Sequence, residues 1–132
     1  MLDNTITLPV DTLNNGTPTN RTYTRYDEYQ NRSVYKGPAH SLLKRDTLGF
    51  YRTPVKANGT DNGVAKSAMK LTQDIDVPGK IATSTVTKPM IGDISLSIPV
   101  GATAAQTLEF RQRMIAVIDH ALAAKLVDEL EV

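Results

Sequence analysis

From Ala65 to Val77 the side chains alternate without interruption. One parity reads Ala65, Ser67, Met69, Leu71, Gln73, Ile75 and Val77; the other reads Lys66, Ala68, Lys70, Thr72, Asp74 and Asp76. Successive residues of a strand point to opposite faces, so this stretch builds one mainly apolar face and one face with lysines on either side of Ala68. Turn formers bound it on both sides, Asn58-Gly59-Thr60-Asp61-Asn62-Gly63 before and Pro78-Gly79 after. A long strand with two unlike faces needs a cover on one side only.

The same division recurs in Ile91–Ile98, where Ile94, Leu96 and Ile98 share one face and Asp93, Ser95 and Ser97 the other. Two such strands describe an antiparallel sheet covered on a single side. Earlier segments extend it. Thr5-Ile6-Thr7-Leu8 alternates, Asn14-Asn15-Gly16-Thr17-Pro18 turns, and Arg21–Tyr26 returns as a hairpin. Ser33–Lys36 is stopped by Gly37-Pro38, and a strand over Lys44–Arg52 is stopped by Pro54. A small polar loop through Thr83-Ser84-Thr85 precedes the last strand.

The cover comes from the C-terminus. Thr103 with Gln106 makes a capping box. Leu108, Ile115, Ile118 and Leu122 then recur at helical spacing, with Arg111 and Arg113 expected off that stripe. A break is expected near Asp119–Ala121, followed by a short segment with Leu122, Leu126, Val127 and Leu130. The expected fold class is therefore α+β: an N-terminal hairpin (1–30), a main antiparallel sheet (31–98) and two C-terminal helices (103–131) over one sheet face, in a single domain 1–132. One sheet under a helical tail is thin and leaves edges open, which favours a dimer.

Composition narrows the functions. The 132 residues contain no cysteine, no tryptophan and two histidines, His40 and His120. Disulfides, thiolate metal sites and cysteine nucleophiles are thereby excluded. The acidic clusters Asp27-Glu28, Asp74/Asp76 and Asp128-Glu129 have no histidine or second carboxylate at a spacing that specifies a metal or an acid–base pair. Phosphate-loop, HExxH and GxSxG motifs are missing. An enzyme is not expected, nor a cofactor, a metal or a small-molecule substrate. No basic and apolar leader opens the chain and no apolar run approaches the roughly 20 residues of a membrane span, so a cytoplasmic protein with no membrane partner is expected.

Net charge is only +1, but it is unevenly placed. Residues 21–70 carry ten Lys/Arg against four Asp/Glu, whereas residues 71–132 carry five against eight. The basic charge lies in the sheet. Lysine on a sheet face offers point charge to phosphate, while base edges are read by groups such as Asp93 and Ser95.

In order of elements, the N-terminal hairpin, the lysine-bearing strand Lys66–Pro78, the Pro-Gly loop and the final strand running into Ser97-Ile98-Pro99-Val100-Gly101-Ala102-Thr103 before two helices, the chain resembles the coat proteins of single-stranded RNA bacteriophages. The resemblance spans most of the sequence. It implies a structural capsid protein of the virion, assembled in the bacterial host cytoplasm. Subunits would join edge to edge as homodimers with interlocked helices and form a quasi-equivalent icosahedral (T=3) shell around single-stranded genomic RNA. The loop Asp76–Thr85 matches the one that gathers at the shell's symmetry axes. An RNA stem-loop held on the inner sheet face would repress replicase translation.

Residue by residue, the resemblance implies RNA contact for Arg52, Lys66, Lys70, Asp93 and Ser95, and places Leu108, Ile115, Ile118 and Leu122 at the dimer interface. Ile91 stands where the family often has an aromatic for base stacking. Parity leaves Arg52 open: turning it to RNA carries Leu48 and Phe50 along, hydrophobicity prefers the reverse, and a bulge between Phe50 and Arg52 would reconcile the two. The alternative function is a small dimeric RNA- or protein-binding module that forms no shell.

Overall fold

The computed structural model describes residues 2–129. Six strands run in chain order, β1 (Thr5–Val10), β2 (Thr19–Tyr29), β3 (Arg32–Lys36), β4 (Asp46–Thr53), β5 (Val64–Pro78) and β6 (Thr85–Pro99). Helices α1 (Ala104–Asp119) and α2 (Ala121–Ala124) and a π-helical turn over Lys125–Glu129 follow. The strands form one sheet in the order β1-β2-β3-β4-β5-β6. The fold is thus α+β, with the N-terminal hairpin continuous with the main sheet. Leu130, expected on the last helical segment, lies outside the described residues.

Two compact units divide the chain, Met1–Val55 with Ala65–Ser97 and Lys56–Val64 with Ile98–Val132. The first contains the core. Cross-strand partners share a face, so the register Arg25↔Tyr35, Tyr35↔Leu48 and Leu48↔Leu71 aligns one row across four strands. Tyr23, Tyr35 and Leu48 are buried on that face, with Ile6, Leu8 and Phe50 packed against them. Tyr35 is fully enclosed, and its hydroxyl donates to the Asp3 carbonyl at 2.6 Å. Its ring meets Phe50 edge-on at 5.7 Å. Burying an aromatic side chain to this degree is worth about 3 kcal/mol. A bulge between Arg25 and Asp27 resets β2 against β3.

Polar packing closes one end of the core. Asp46 is buried, and its carboxylate accepts from the Ala39 N–H at 3.1 Å, while its own N–H donates to His40 Nδ1 at 3.3 Å. Gly37 is required here, because a Cβ would come within 2.3 Å of that carboxylate. Burial, with the Asp46 charge beside it, pushes the Tyr23 hydroxyl above its ordinary range.

Several strand bounds differ from the sequence expectation. The last strand starts at Thr85 and runs through Pro89, which an edge strand tolerates because one side of its backbone needs no ladder partner. Lys44 and Arg45 leave β4 for the preceding loop, drawn out by the carboxylates described below.

In the second unit, Thr103 and Gln106 form the expected capping box at 3.3 and 2.9 Å. The expected break falls at His120, whose backbone is extended. It ends α1 and caps α2, its Nδ1 accepting from the Leu122 N–H at 3.1 Å. At about 100° per residue Arg111 falls within the stripe of Leu108, Ile115 and Ile118, contrary to expectation. Arg113 does lie away from it, bonded to Glu109. No described residue of α1 or α2 is buried; Ile115 is 58% and Leu122 68% exposed.

Candidate nucleic-acid interface

The register of β5 and β6 decides which polar groups stand together. Gly79 N–H donates to the Ser84 carbonyl at 2.8 Å, and the Thr87 hydroxyl donates to Asp76 at 2.8 Å. At the far end Val100 N–H donates to the Gly63 carbonyl at 3.0 Å. Gly63 to Asp76 and Thr87 to Val100 span equal numbers of residues, so the pair carries no net bulge. Lys70 then stands across from Asp93, Ala68 from Ser95 and Lys66 from Ser97. Lys66, Lys70, Asp93 and Ser95 share one face, the reverse of the Tyr35 row.

Charge on this face is sorted by position. Asp74 accepts from the Arg45 backbone at 2.8 Å and from its guanidinium at 3.1 Å on each carboxylate oxygen. Asp76 is held by the Lys44 ammonium and the Thr87 hydroxyl. Hydrogen bonds from Arg45 hold the Asp74 carboxyl below its usual range, and those from Lys44 and Thr87 do the same for Asp76. Both acids are thus neutralised locally. Lys66 and Lys70 have no ion pair among the described residues, and Lys66, Asp93 and Ser95 are exposed.

Arg52 does not join them. It stands across from Ser67, whereas Thr53 stands across from Lys66 and Gly49 from Lys70. The ladder is continuous from Asp46 to Thr53, so no bulge between Phe50 and Arg52 turns it round. Arg52 follows Leu48 and Phe50 onto the core face because that alternation is the stronger constraint. Its guanidinium reaches the Asn31 side-chain oxygen at 3.5 Å.

Besides Thr47, Gly49 and Thr53, β4 brings Tyr51 to the lysine face, 38% exposed and directly across from Ala68. The signal was in the sequence: Leu48 and Phe50 on one parity require Tyr51 on the other. Ile91 is exposed on this face too, across from Thr72. Among the described residues no three His, Asp or Glu side chains are grouped to hold a metal ion.

The apolar face continues onto β5 and β6 with less cover. Met69, Ile94 and Leu96 are half-buried, and Leu71 is 42% exposed. β6 is an edge strand of the sheet.

A six-stranded sheet of this order followed by a broken helix can be compared with known structures. A virus-like particle of Beihai levi-like virus 32 is 19% identical with a TM-score of 0.74, covering 83% of this chain and 86% of its own. A virus-like particle of bacteriophage AVE019 is 16% identical with a TM-score of 0.75 over 97% of this chain and 95% of its own. The bacteriophage EMS014 coat protein is 18% identical with a TM-score of 0.63, over 92% and 76%. The fold is that of the levi-like phage coat proteins. No protein-family model and no curated relative matches the sequence. The levi-like fold is therefore retained at identities below 20%.

Proposed function

We propose that this chain is the capsid protein of a levi-like RNA phage, dimerising, building an icosahedral shell and packaging single-stranded RNA against the lysine face of its sheet. The observation that carries the reading is the division of the sheet. Lys66, Lys70, Asp93 and Ser95 occupy one face in register while Tyr35, Leu48 and Phe50 occupy the other. A shell protein needs this division, with a wet charged side toward the nucleic acid and an apolar side to bury against protein. A dimer doubles the lysines on one surface, which offsets the modest charge of a single chain.

Support for the dimer comes from what the single chain leaves uncovered. Leu108, Ile115, Ile118 and Leu122 are exposed, as is Leu71 on the apolar sheet face. Exposed apolar area on this scale marks an association surface. The long β6 edge offers unpaired backbone groups to a second copy, and antiparallel pairing of two β6 strands makes one continuous sheet. In that assembly the helix stripe of each copy covers apolar sheet surface of the other. The loop between β5 and β6, shortened to residues 79–84 from the expected Asp76–Thr85 because both strands run further, then lies at contacts between dimers, and an RNA stem-loop on the inner face links packaging to translational repression.

Expression of the chain alone in bacteria, followed by negative-stain microscopy and nucleic-acid quantification, tests this. RNA-filled particles of uniform size are expected. A soluble dimer that binds RNA but never forms particles would instead establish the small binding module.

A further inference from the structure

We propose that Asn58 is a site of spontaneous deamidation, because its Asn-Gly pair sits in a turn that leaves the reacting nitrogen free. Three such pairs occur in the sequence, Asn15-Gly16, Asn58-Gly59 and Asn62-Gly63. The reaction is intramolecular. Hydroxide takes the proton of the glycine N–H, and that nitrogen attacks the asparagine Cγ. A five-membered succinimide closes, and the side-chain nitrogen takes a proton from water and leaves as ammonia. Water then opens the ring at either carbonyl, giving isoaspartate or aspartate. Glycine in second place favours closure, since no Cβ crowds the attacking nitrogen.

The fold treats the three nitrogens differently. At the tip of the N-terminal hairpin the Gly16 N–H donates to Asp11 Oδ2 at 2.7 Å, and Asn15 Oδ1 accepts from the Thr17 N–H at 2.9 Å. The Gly63 N–H donates to Asp61 Oδ1 at 2.9 Å. A carboxylate bonded to an N–H opposes its ionisation, because one negative charge disfavours another beside it. Ring closure at Asn15 must in addition break the bond that holds its side chain.

Gly59 has neither restraint. Asn58 and Asp61 exchange both backbone hydrogen bonds at 3.0 Å and enclose Gly59-Thr60 as a two-residue turn. Gly59 takes φ +59°, a left-handed conformation suited to glycine. Among the described residues neither its N–H nor the Asn58 side chain is hydrogen-bonded. Both residues are exposed, and a Cβ placed on Gly59 would meet nothing within 4 Å, so hydroxide and water have free access. A short exposed turn with few contacts also opens locally at low cost, which lets the Asn58 side chain reach the nitrogen. Each conversion turns a neutral amide into a carboxylate and takes a chain of net charge +1 to zero. Asn58 thereby records the age of the chain as charge.

The test incubates the purified full chain in heavy-oxygen water at mildly alkaline pH, followed by digestion in acid and peptide mapping by mass spectrometry. Heavy oxygen should enter at Asn58 first, with isoaspartate in excess, and at a rate proportional to hydroxide. Isoelectric focusing should show a more acidic band growing in step. Asn58→Gln should lose that band, because its longer side chain closes a larger ring far more slowly. Asp11→Ala, which frees the Gly16 N–H, should add conversion at Asn15. Conversion at Asn15 or Asn62 ahead of Asn58 in the unaltered chain, or an Asn58 that stays intact, would overturn the proposal. An Asn15 that stays intact in Asp11→Ala would overturn the account of held nitrogens on which the choice of Asn58 rests.

Discussion

Arg52 stands directly across from Ser67, one step out of phase with the neighbouring pair Thr53 and Lys66, and this sets a guanidinium on the apolar face of the sheet. Three cations close in space therefore divide between two surfaces. Only Lys66 and Lys70 belong to the surface proposed for RNA.

Mutation separates the two surfaces. Lys66→Ala with Lys70→Ala should leave dimers intact, reduce packaged RNA, and lower the log–log salt slope by about 0.7 for each single-strand phosphate contact removed. Arg52→Ala should leave RNA content and slope unchanged. Nucleic-acid content of purified particles and binding titrations at several salt concentrations check both. A loss of slope in the Arg52 variant equal to that of a lysine variant would count against the facing argument.

How far the sequence led is visible in these same residues. The uninterrupted alternation of β5 named both of its faces, because a strand buried on one side must repeat with period two. The capping box at Thr103 and the break at His120 were readable for the same local reason: each uses side chains within a few residues of the backbone groups they satisfy. β4 was ambiguous, since Arg52 and the apolar pair Leu48 and Phe50 made opposite demands on one parity, and only pairing with β5 resolved it. Lys44 and Arg45 read as strand, yet they bond to Asp76 and Asp74 about thirty positions away. Their partners lie on another strand, and no local pattern points to them.

Asp46 should be costly to remove. Asp46→Ala removes a part-buried hydrogen bond from the Ala39 N–H to a carboxylate, at a cost of roughly 1–3 kcal/mol. Gly37→Ala should destabilise by a similar amount, because the new methyl displaces the same carboxylate. Chemical denaturation of the purified chain at fixed protein concentration measures both. The two substitutions combined should cost less than their sum, since they break the same contact.

Acid should release the loop before β4. Asp74 and Asp76 both titrate below their ordinary range in the folded chain, held there by Arg45, Lys44 and Thr87. A depressed carboxylate contributes fully above its unfolded value, and the contribution is lost as pH falls through the lower folded value. Hydrogen exchange at residues 37–45 should therefore be flat near neutrality, after correction for intrinsic rates, and accelerate below about pH 4. Asp74→Asn with Asp76→Asn should raise exchange at neutral pH and remove that acid dependence. A loop equally protected in this variant would show that the ion pairs do not hold it.

Ile115 tests the association surface. In the single chain it is more than half exposed, within a stripe that includes Leu108 and Ile118. An aspartate at this position costs little in the isolated chain, but in a dimer it is buried without a partner, at several kcal/mol. Each twofold-related copy contributes one such charge, so the penalty enters twice per dimer. Ile115→Asp should thus shift the chain to monomers and abolish particles, whereas Arg113→Ala, away from the stripe, should leave assembly intact. Analytical ultracentrifugation across a range of concentrations reads the difference. The sheet core around Tyr35 does not depend on this stripe, so the Asp variant should keep its far-ultraviolet β signal if partner docking is the function of Ile115. Particles that form normally from Ile115→Asp would remove that face of α1 from the interface.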